Sequence, residues 1–257
     1  MKKLKVFGLI AVAIGLTASG DLFAQSSPLT GKNVIKYNLT ATAIGHYAIQ
    51  YERVINPKQS FAIGFGISPN VSLPFKQTLM DAFGDNADAK SAIESTKFTK
   101  FTITPEYRFY LGKKEAPGGF YIAPFARYTN MKLTQAYKFT DSDDSKHTAN
   151  VTGKFNGVGA GVVFGAQWLL GKKENIVLDF WFAGPFAGVM KATFEGVDDQ
   201  FIKDPATLEN DIEGFDLPLW TIDATVTNVN GKGKVDANLK GPFYGFRTLG
   251  LSIGYRF

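Results

Sequence analysis

The sequence predicts an all-β fold, namely a transmembrane antiparallel up-and-down β-barrel of eight strands with long extracellular loops. Segments of about nine residues alternate strictly between apolar and polar or small side chains. This is the period of a strand with two different faces, and about nine to eleven tilted residues cross a bilayer. Short and long connections alternate between these segments. Residues 249–257 show the pattern most clearly, because every odd position is large and apolar and the chain stops at Phe257.

The strands are predicted from this alternation in chain order. In the third strand, the Phe and Ile residues of positions 61–67 alternate with Ala and Gly. In the fifth strand we place Phe120, Ile122, Ala126 and Tyr128 outward, because this parity puts Arg127 in the interior, away from lipid. The predicted strands cover residues 32–43, 47–55, 61–68, 101–111, 120–128, 158–170, 176–182 and about 243–257.

The connections predict which end of each strand carries the turns. Short turns are expected around Pro57, residues 112–119 and residues 171–175, and long loops at 69–96, 129–152 and 194–240. Helical spacing predicts short helices at 75–83 and 205–213, and Asn230-Gly231 predicts a hairpin. A ten-stranded barrel is the alternative if residues 220–227 enter the sheet. Prolines interrupt three strands and predict bulges or irregular pairing there; they are Pro105, Pro124 and Pro185.

The first 24 residues have the pattern of a secretory signal peptide. Lys2, Lys3 and Lys5 precede an apolar run that is too short for a transmembrane helix, and Ala24 precedes the expected cleavage site. Residues 25–257 are then one barrel domain. Cleavage of the signal peptide removes three lysines and Asp21 from the 28 basic and 23 acidic residues of the chain. The remaining 25 basic and 22 acidic residues give a net charge of +3. The basic residues are scattered, which argues against nucleic-acid binding, and the chain contains no cysteine.

Charged side chains at inward positions predict a network in the lumen. The lumen of an eight-stranded barrel is just wide enough to be filled by side chains, and opposite charges there would pair and plug it. A narrow pore lined by the same groups is the alternative interpretation. Arg53 and Arg247 take outward parity and are expected to extend to a membrane interface. The predicted lumen charge network comprises Lys36, Glu52, Glu106, Arg108, Arg127, Asp179 and Arg256.

The signal sequence, the eight-strand pattern and the C-terminal residues 251–257 together resemble the small Gram-negative outer-membrane β-barrel proteins. The resemblance is to the eight-stranded, OmpA/OmpX-like kind without a periplasmic domain. It implies insertion in the bacterial outer membrane, contact with outer-membrane lipids and recognition by the barrel-assembly machinery. By the same resemblance, Tyr255 and Phe257 would be the key aromatic residues of a C-terminal assembly signal.

The sequence predicts the cellular location of the protein more specifically than its biochemical activity. We expect a structural or surface-interaction role, with an extracellular partner bound through the loops, no cofactor, no metal and no catalytic residues. The alternatives are a small-solute, porin-like channel and a lipid-modifying enzyme. The enzyme alternative would depend on His46, to which the sequence assigns no serine or acidic partner. The acidic run at residues 141–144 is interpreted as solvated loop charge.

Overall fold

The computed structural model describes residues 31–73, 75–82, 90, 93–140, 146–198, 202–214, 219–247 and 249–257. The predicted signal peptide and the acidic run at 141–144 lie outside the described residues. Residues 31–257 form one unit, to which the following description applies.

The described residues of this unit include eleven strands and three short helices with assigned bounds. The strands are β1 Asn33–Asn38, β2 Tyr47–Asn56, β3 Gln59–Ser72, β4 Lys97–Tyr110, β5 Gly119–Thr140, β6 Lys146–Leu170, β7 Ile176–Ala183, β8 Pro185–Asp198, β9 Thr221–Val229, β10 Lys232–Phe246 and β11 Gly250–Arg256. The helices are α1 Leu39–Ala43, α2 Lys76–Ala82 and α3 Pro205–Glu213.

Eight strands form a closed antiparallel ring in the order β1-β2-β3-β4-β5-β6-β7-β11, and β11 pairs again with β1. The predicted all-β, eight-stranded antiparallel arrangement is confirmed at this level. The residue paired with Trp168 of β6 can be followed from strand to strand through the other seven members of the ring. This series of pairs returns to β6 at Val158, so the ring is staggered by ten residues. A stagger of this size tilts the strands by about 40° to the ring axis at ordinary strand spacing.

The three remaining strands extend one end of the ring. β8 follows β7 after Gly184 and pairs with the first half of β6, while β10 pairs with β8 and leads into β11. Thus β7–β8 and β10–β11 are two long strands, each with one interruption. The interruptions face each other, because the Arg247 amide donates to the Gly184 carbonyl at 2.8 Å.

β9 ends the sheet and contains most of the segment on which the ten-stranded alternative depended. Residues 221–229 pair with β10 through the predicted Asn230-Gly231 hairpin, where both residues have positive φ. The free edge of β9 is covered by α3, whose Glu209 and Glu213 carboxylates accept hydrogen bonds from the Val226 and Ala224 amides. The strand therefore enters the sheet without joining the ring, which keeps eight members.

The helix and turn predictions are confirmed, with bounds close to those expected. α3 begins and ends at the predicted residues, and α2 lies within the predicted 75–83 segment. The three short turns connect β2 to β3, β4 to β5 and β6 to β7, so they share one end of the ring, which we call the short-turn end. We call the other the long-loop end.

Four predicted boundaries are wrong. β1 ends at Asn38, whose side chain caps α1 by accepting from the Ala41 amide at 2.9 Å, so residues 39–43 are helical. Residues 129–152 belong largely to strands, because β5 and β6 remain paired up to Thr140 and Lys146. The long connection begins after Asp198, and the closing pair of strands begins at Lys232, before the predicted residue 243.

The prolines interrupt hydrogen bonding without shifting the register. On both sides of Pro105, the β4–β5 pairs Ile103–Tyr128 and Glu106–Phe125 keep the same register. Of the two predicted outcomes at Pro105, a bulge or irregular pairing, the β4–β5 ladder shows irregular pairing. Pro185 follows the interruption at Gly184 and begins β8. None of the described helices is long and apolar enough to span a membrane.

Candidate functional site

Six charged side chains meet inside the ring near the short-turn end. They come from four ring strands and from the interruption between β10 and β11, and all are buried. They number three cations and three anions, so their formal charges cancel. We call them the interior cluster: Lys36, Glu52, Glu106, Arg108, Asp179 and Arg247.

Lys36 is one centre of the interior cluster. Its Nζ lies 2.7 Å from Glu52 Oε2 and 2.7 Å from Asp179 Oδ2, and it also donates to Gln167 Oε1 at 2.9 Å. These three acceptors belong to β2, β7 and β6. One ammonium group therefore connects opposite walls of the ring, and all three of its protons have an acceptor.

Arg108 is the second centre. Its Nη1 lies 2.8 Å from Asp179 Oδ2 and its Nη2 lies 2.9 Å from Glu106 Oε2. Nη2 also donates to Gln50 Oε1 at 2.9 Å, and the guanidinium lies over the Tyr121 ring at 4.3 Å. The planar, five-donor shape of arginine suits contact with several acceptors at once.

Arg247 corrects the predicted outward position. Its side chain is 9% exposed, and Nη1 donates to Glu106 Oε1 at 2.6 Å. The interruption between β10 and β11 ends the alternation that parity counting assumed. The guanidinium also lies near the rings of Phe125 and Trp181, at 4.9 and 5.2 Å.

Uncharged donors complete the interior cluster. Ser60 and Tyr110 each donate to Glu52 Oε1 at 2.5 Å, and Tyr121 donates to Asp179 Oδ1 at 2.8 Å. In the described part of the chain, every buried side-chain nitrogen and oxygen has a hydrogen-bond partner. Charge balance and complete hydrogen bonding are the conditions under which buried charges are tolerated.

The structure brings five of the seven predicted lumen residues together in the interior cluster. The other two, Arg127 and Arg256, do not belong to the cluster. Arg127 points inward from β5, nearer the long-loop end, where its Nε donates to Thr104 Oγ1 at 3.2 Å. Arg256 lies at the short-turn end, donates to the Gly31 carbonyl and is 3.8 Å from the exposed Glu174 carboxylate. Arg53 keeps its outward parity and donates to Asn33 Oδ1 at 2.8 Å.

The C-terminal aromatic residues lie on the outer surface beside β1. Tyr255 and Phe257 are each about half exposed, and two backbone hydrogen bonds join Phe257 to Asn33 at 2.9 and 3.0 Å. The chain end is thus paired into the ring. The role of these two residues as an assembly signal stays a prediction.

A cavity of about 400 Å³ lies on the long-loop side of the interior cluster. Lys36, Glu106 and Arg247 contribute to its lining at that side. Toward the long-loop end it is lined by Lys100 and Arg127 and by the hydroxyl side chains of Thr102 and Thr104, among others. The volume falls within the range of roughly 300–1,000 Å³ typical of small-molecule sites.

His46 lines the same cavity, but its contacts differ from those of a catalytic dyad. Nδ1 lies 2.9 Å from Ser68 Oγ and Nε2 lies 3.4 Å from Thr102 Oγ1. A general base in a hydrolase is oriented by an acidic group, and the neighbours resolved here are hydroxyls. Among the described residues, no group of three or more His, Cys, Asp or Glu side chains could hold a metal ion.

The site contains residues that sequence reasoning missed. Gln50, Gln167, Tyr110 and Tyr121 all lie at inward parity, as alternation predicts. Inward parity alone does not show that an uncharged side chain contacts a buried charge, so none of the four was predicted as a member of the site. Arg247 could not be found in this way, because its position depends on an interruption in the strand.

One comparison with known proteins finds a match. A model of the family described as "Protein of unknown function (DUF3575)" matches residues 9–182. No curated protein and no solved structure matches the chain. The family match covers more than half of the sequence and includes β1 to β6 and nearly all of β7, which together carry five of the six charged residues of the interior cluster. The chain therefore belongs to the DUF3575 family.

Proposed function

We propose that the protein is an integral β-barrel of the bacterial outer membrane, with its interior closed by the interior cluster and a structural or surface-interaction role. The observation that carries this proposal is an apolar row around the ring. The row consists of Trp168 and Val158 of β6 and the paired residues, one from each of the other seven strands, that connect them around the ring. All of them are large and apolar or aromatic, and most of them are 38–53% exposed. The row comprises Trp168, Leu178, Ile253, Tyr37, Ile49, Phe65, Ile103, Tyr128 and Val158.

Such a row is unfavourable in water and favourable in lipid. Soluble monomers rarely expose continuous apolar surface on this scale. At the level of this row every ring strand pairs with both of its neighbours, so the backbone polar groups there are satisfied within hydrocarbon. Polar and charged groups lie inside and apolar groups outside, which is the arrangement of a membrane barrel. In this proposal, outer-membrane lipids contact the row, and the barrel-assembly machinery recognises Tyr255 and Phe257.

The proposed surface-interaction role rests on the long-loop end. β5 and β6 contain 22 and 25 residues, whereas about nine to eleven residues cross the bilayer. Together with β8, β10 and β9, they extend the sheet well beyond that length. This extension would stand outside the cell and offer a surface to a partner.

Fractionation and gel mobility test the membrane location. We expect the protein to sediment with outer membranes and to migrate differently on a detergent gel before and after boiling, because a closed antiparallel ring resists unfolding by detergent. A periplasmic marker protein provides the soluble control. Recovery of the folded protein in the soluble periplasmic fraction would contradict the proposed location.

Conductance tests the closed interior. The interior cluster joins opposite walls and buries all six charges, so we expect no steady single-channel steps in planar bilayers. The paired variant Glu106→Ala/Arg247→Ala removes two side chains of the cluster without changing its net charge, and should raise the leak. Reproducible steps from the wild-type protein would favour the small-solute channel instead. No contact among the described residues favours a lipid-modifying enzyme.

A further inference from the structure

The described residues leave a lateral gap in the ring wall on the long-loop side of α1. β1 stops at Asn38, and its last pair with β2 is Tyr37–Ile49. On the other side of the gap, β9 pairs with residues 232–240 of β10, so residues 241–246 have no partner strand on that edge in the part of the chain that the structure describes. Within the described residues no ladder joins β9 or β10 to β2. The described strands therefore close the wall through β1 and β11 at the short-turn end and leave it interrupted farther along.

The cavity reaches this gap. Its lining includes Ala41 of α1 and Ile44, which follows α1, as well as Phe246 and Leu249, which flank the interruption between β10 and β11. Ile44, Phe246 and Leu249 are 45%, 57% and 63% exposed, so they form an apolar mouth on the outer surface. The inner lining is polar and cationic. The cavity thus changes from apolar at the wall to charged inside.

Two cations on the inner side lack a carboxylate partner among the described residues. Lys100 and Arg127 both line the cavity, and the one side-chain hydrogen bond resolved for either is from Arg127 to Thr104. Lys36 and Arg247, in contrast, are neutralised by the interior cluster. Unpaired positive charge in a partly buried site is unfavourable unless an anion compensates it. Counted over the described residues, the lining of the cavity therefore has two formal positive charges beyond the neutral interior cluster.

We propose that the cavity binds an anionic amphiphile that enters from the membrane through this gap. The carboxylate or phosphate group lies between Lys100 and Arg127, with the hydroxyls of Thr102 and Thr104 as further donors, and the acyl chain passes Phe246 and Leu249 into the lipid. This inference rests on the proposed membrane location, because a chain leaving the mouth needs hydrocarbon around it. The cations and hydroxyls lie inside the cavity and the apolar residues lie at its mouth. This order matches an anionic head group followed by an acyl chain.

Trp181 provides a direct readout of binding, because it lines the cavity and is 8% exposed. The variant Trp168→Phe/Trp220→Phe leaves Trp181 as the only tryptophan of the three. In the full chain, purified in non-ionic detergent, we expect dibromostearate to quench Trp181 with saturation. Lys100→Met or Arg127→Met should weaken the apparent affinity about tenfold or more, the loss expected for one charge-assisted hydrogen bond. The uncharged methyl ester should quench weakly.

Two controls separate the site from general partitioning into the micelle. Lys132→Met removes an exposed lysine from the same strand as Arg127 and should leave quenching unchanged. A variant that retains only Trp168, which faces outward, should be quenched equally whether or not Lys100 and Arg127 are present. Equal affinity in Lys100→Met, Arg127→Met and Lys132→Met would overturn the proposal.

Competition and blocking test the kind of ligand and its route. Inorganic phosphate should not displace dibromostearate at matched concentration, and displacement by phosphate would mean that the cavity holds a free anion instead. Ala41→Phe narrows the mouth without touching the cations or adding a tryptophan, and should weaken dibromostearate binding. Unchanged binding in Ala41→Phe would overturn the lateral route. These measurements use purified protein in micelles, so they fail independently of the fractionation that tests the membrane location.

Discussion

Replacement of Arg108 by methionine should lower the free energy of unfolding by about 3–5 kcal/mol, the usual cost of removing one partner from a buried ion pair. The guanidinium contacts Asp179 and Glu106 at 2.8 and 2.9 Å, and the Glu52 carboxylate lies 3.5 Å away. Its loss leaves three buried carboxylates facing two cations. The measurement is urea unfolding in detergent micelles or bilayers, followed by tryptophan fluorescence and gel mobility.

A second substitution distinguishes charge imbalance from lost packing. Asp179→Asn in the Arg108→Met background restores neutrality and leaves the Lys36–Glu52 and Arg247–Glu106 pairs intact. We expect the double variant to recover part of the lost stability. Lys154→Met breaks an exposed pair with Glu195 and should cost less than about 1 kcal/mol. If Arg108→Met cost no more than Lys154→Met, the interior cluster would not stabilise the fold.

Arg108 also illustrates what alternation can predict. A strand has a period of two, so one anchored parity fixes the face of every residue up to the next irregularity. For this reason the inward positions of Lys36, Glu52, Arg108 and Asp179 follow from sequence, although they lie on four different strands. The partners within the interior cluster do not follow. They depend on the stagger of the ring, which is set by ladders between distant segments.

The errors occur where the period is broken. Arg247 has outward parity if the closing strand is continuous, yet the interruption between β10 and β11 turns it inward onto Glu106. Asn38 ends β1 because its side chain caps α1, a local hydrogen bond that competes with the sheet. The hydrophobic pattern of residues 35–43 also fits a strand, so alternation alone could not detect that change.

The cavity depends on both breaks in the alternation, namely the end of β1 at Asn38 and the interruption between β10 and β11. A continuous β1 would pair with β2 and close the wall beyond Ile49, and a continuous β10–β11 would place Arg247 outside. Instead, α1 and the interruption between β10 and β11 lie on either side of the lateral gap. The regular part of the sequence thus predicts the ring and its closed interior. The two irregular segments create the feature that we propose has a ligand.

The outer face of β3 offers the sharpest test of the membrane proposal. Phe65 lies six residues beyond Gln59, the first residue of β3, and so near the middle of a crossing of about nine to eleven residues. Its neighbours across the ladders, Ile49 and Ile103, are also apolar and outward. Phe65→Arg should therefore destabilise the protein in bilayers by about 2–4 kcal/mol, the cost of an arginine near the midplane.

Phe61→Arg is the matched control, because Phe61 lies on the same face of the same strand and both side chains are 40% exposed. Phe61 is two residues from Gln59, close to the short-turn end, where an arginine can extend to the interface and should cost about 0–1 kcal/mol. In water, the two substitutions would have similar costs, because the exposed fractions are equal. A difference between them measures depth in hydrocarbon and not burial by protein. Equal costs in bilayers would show that β3 does not cross the membrane at this position.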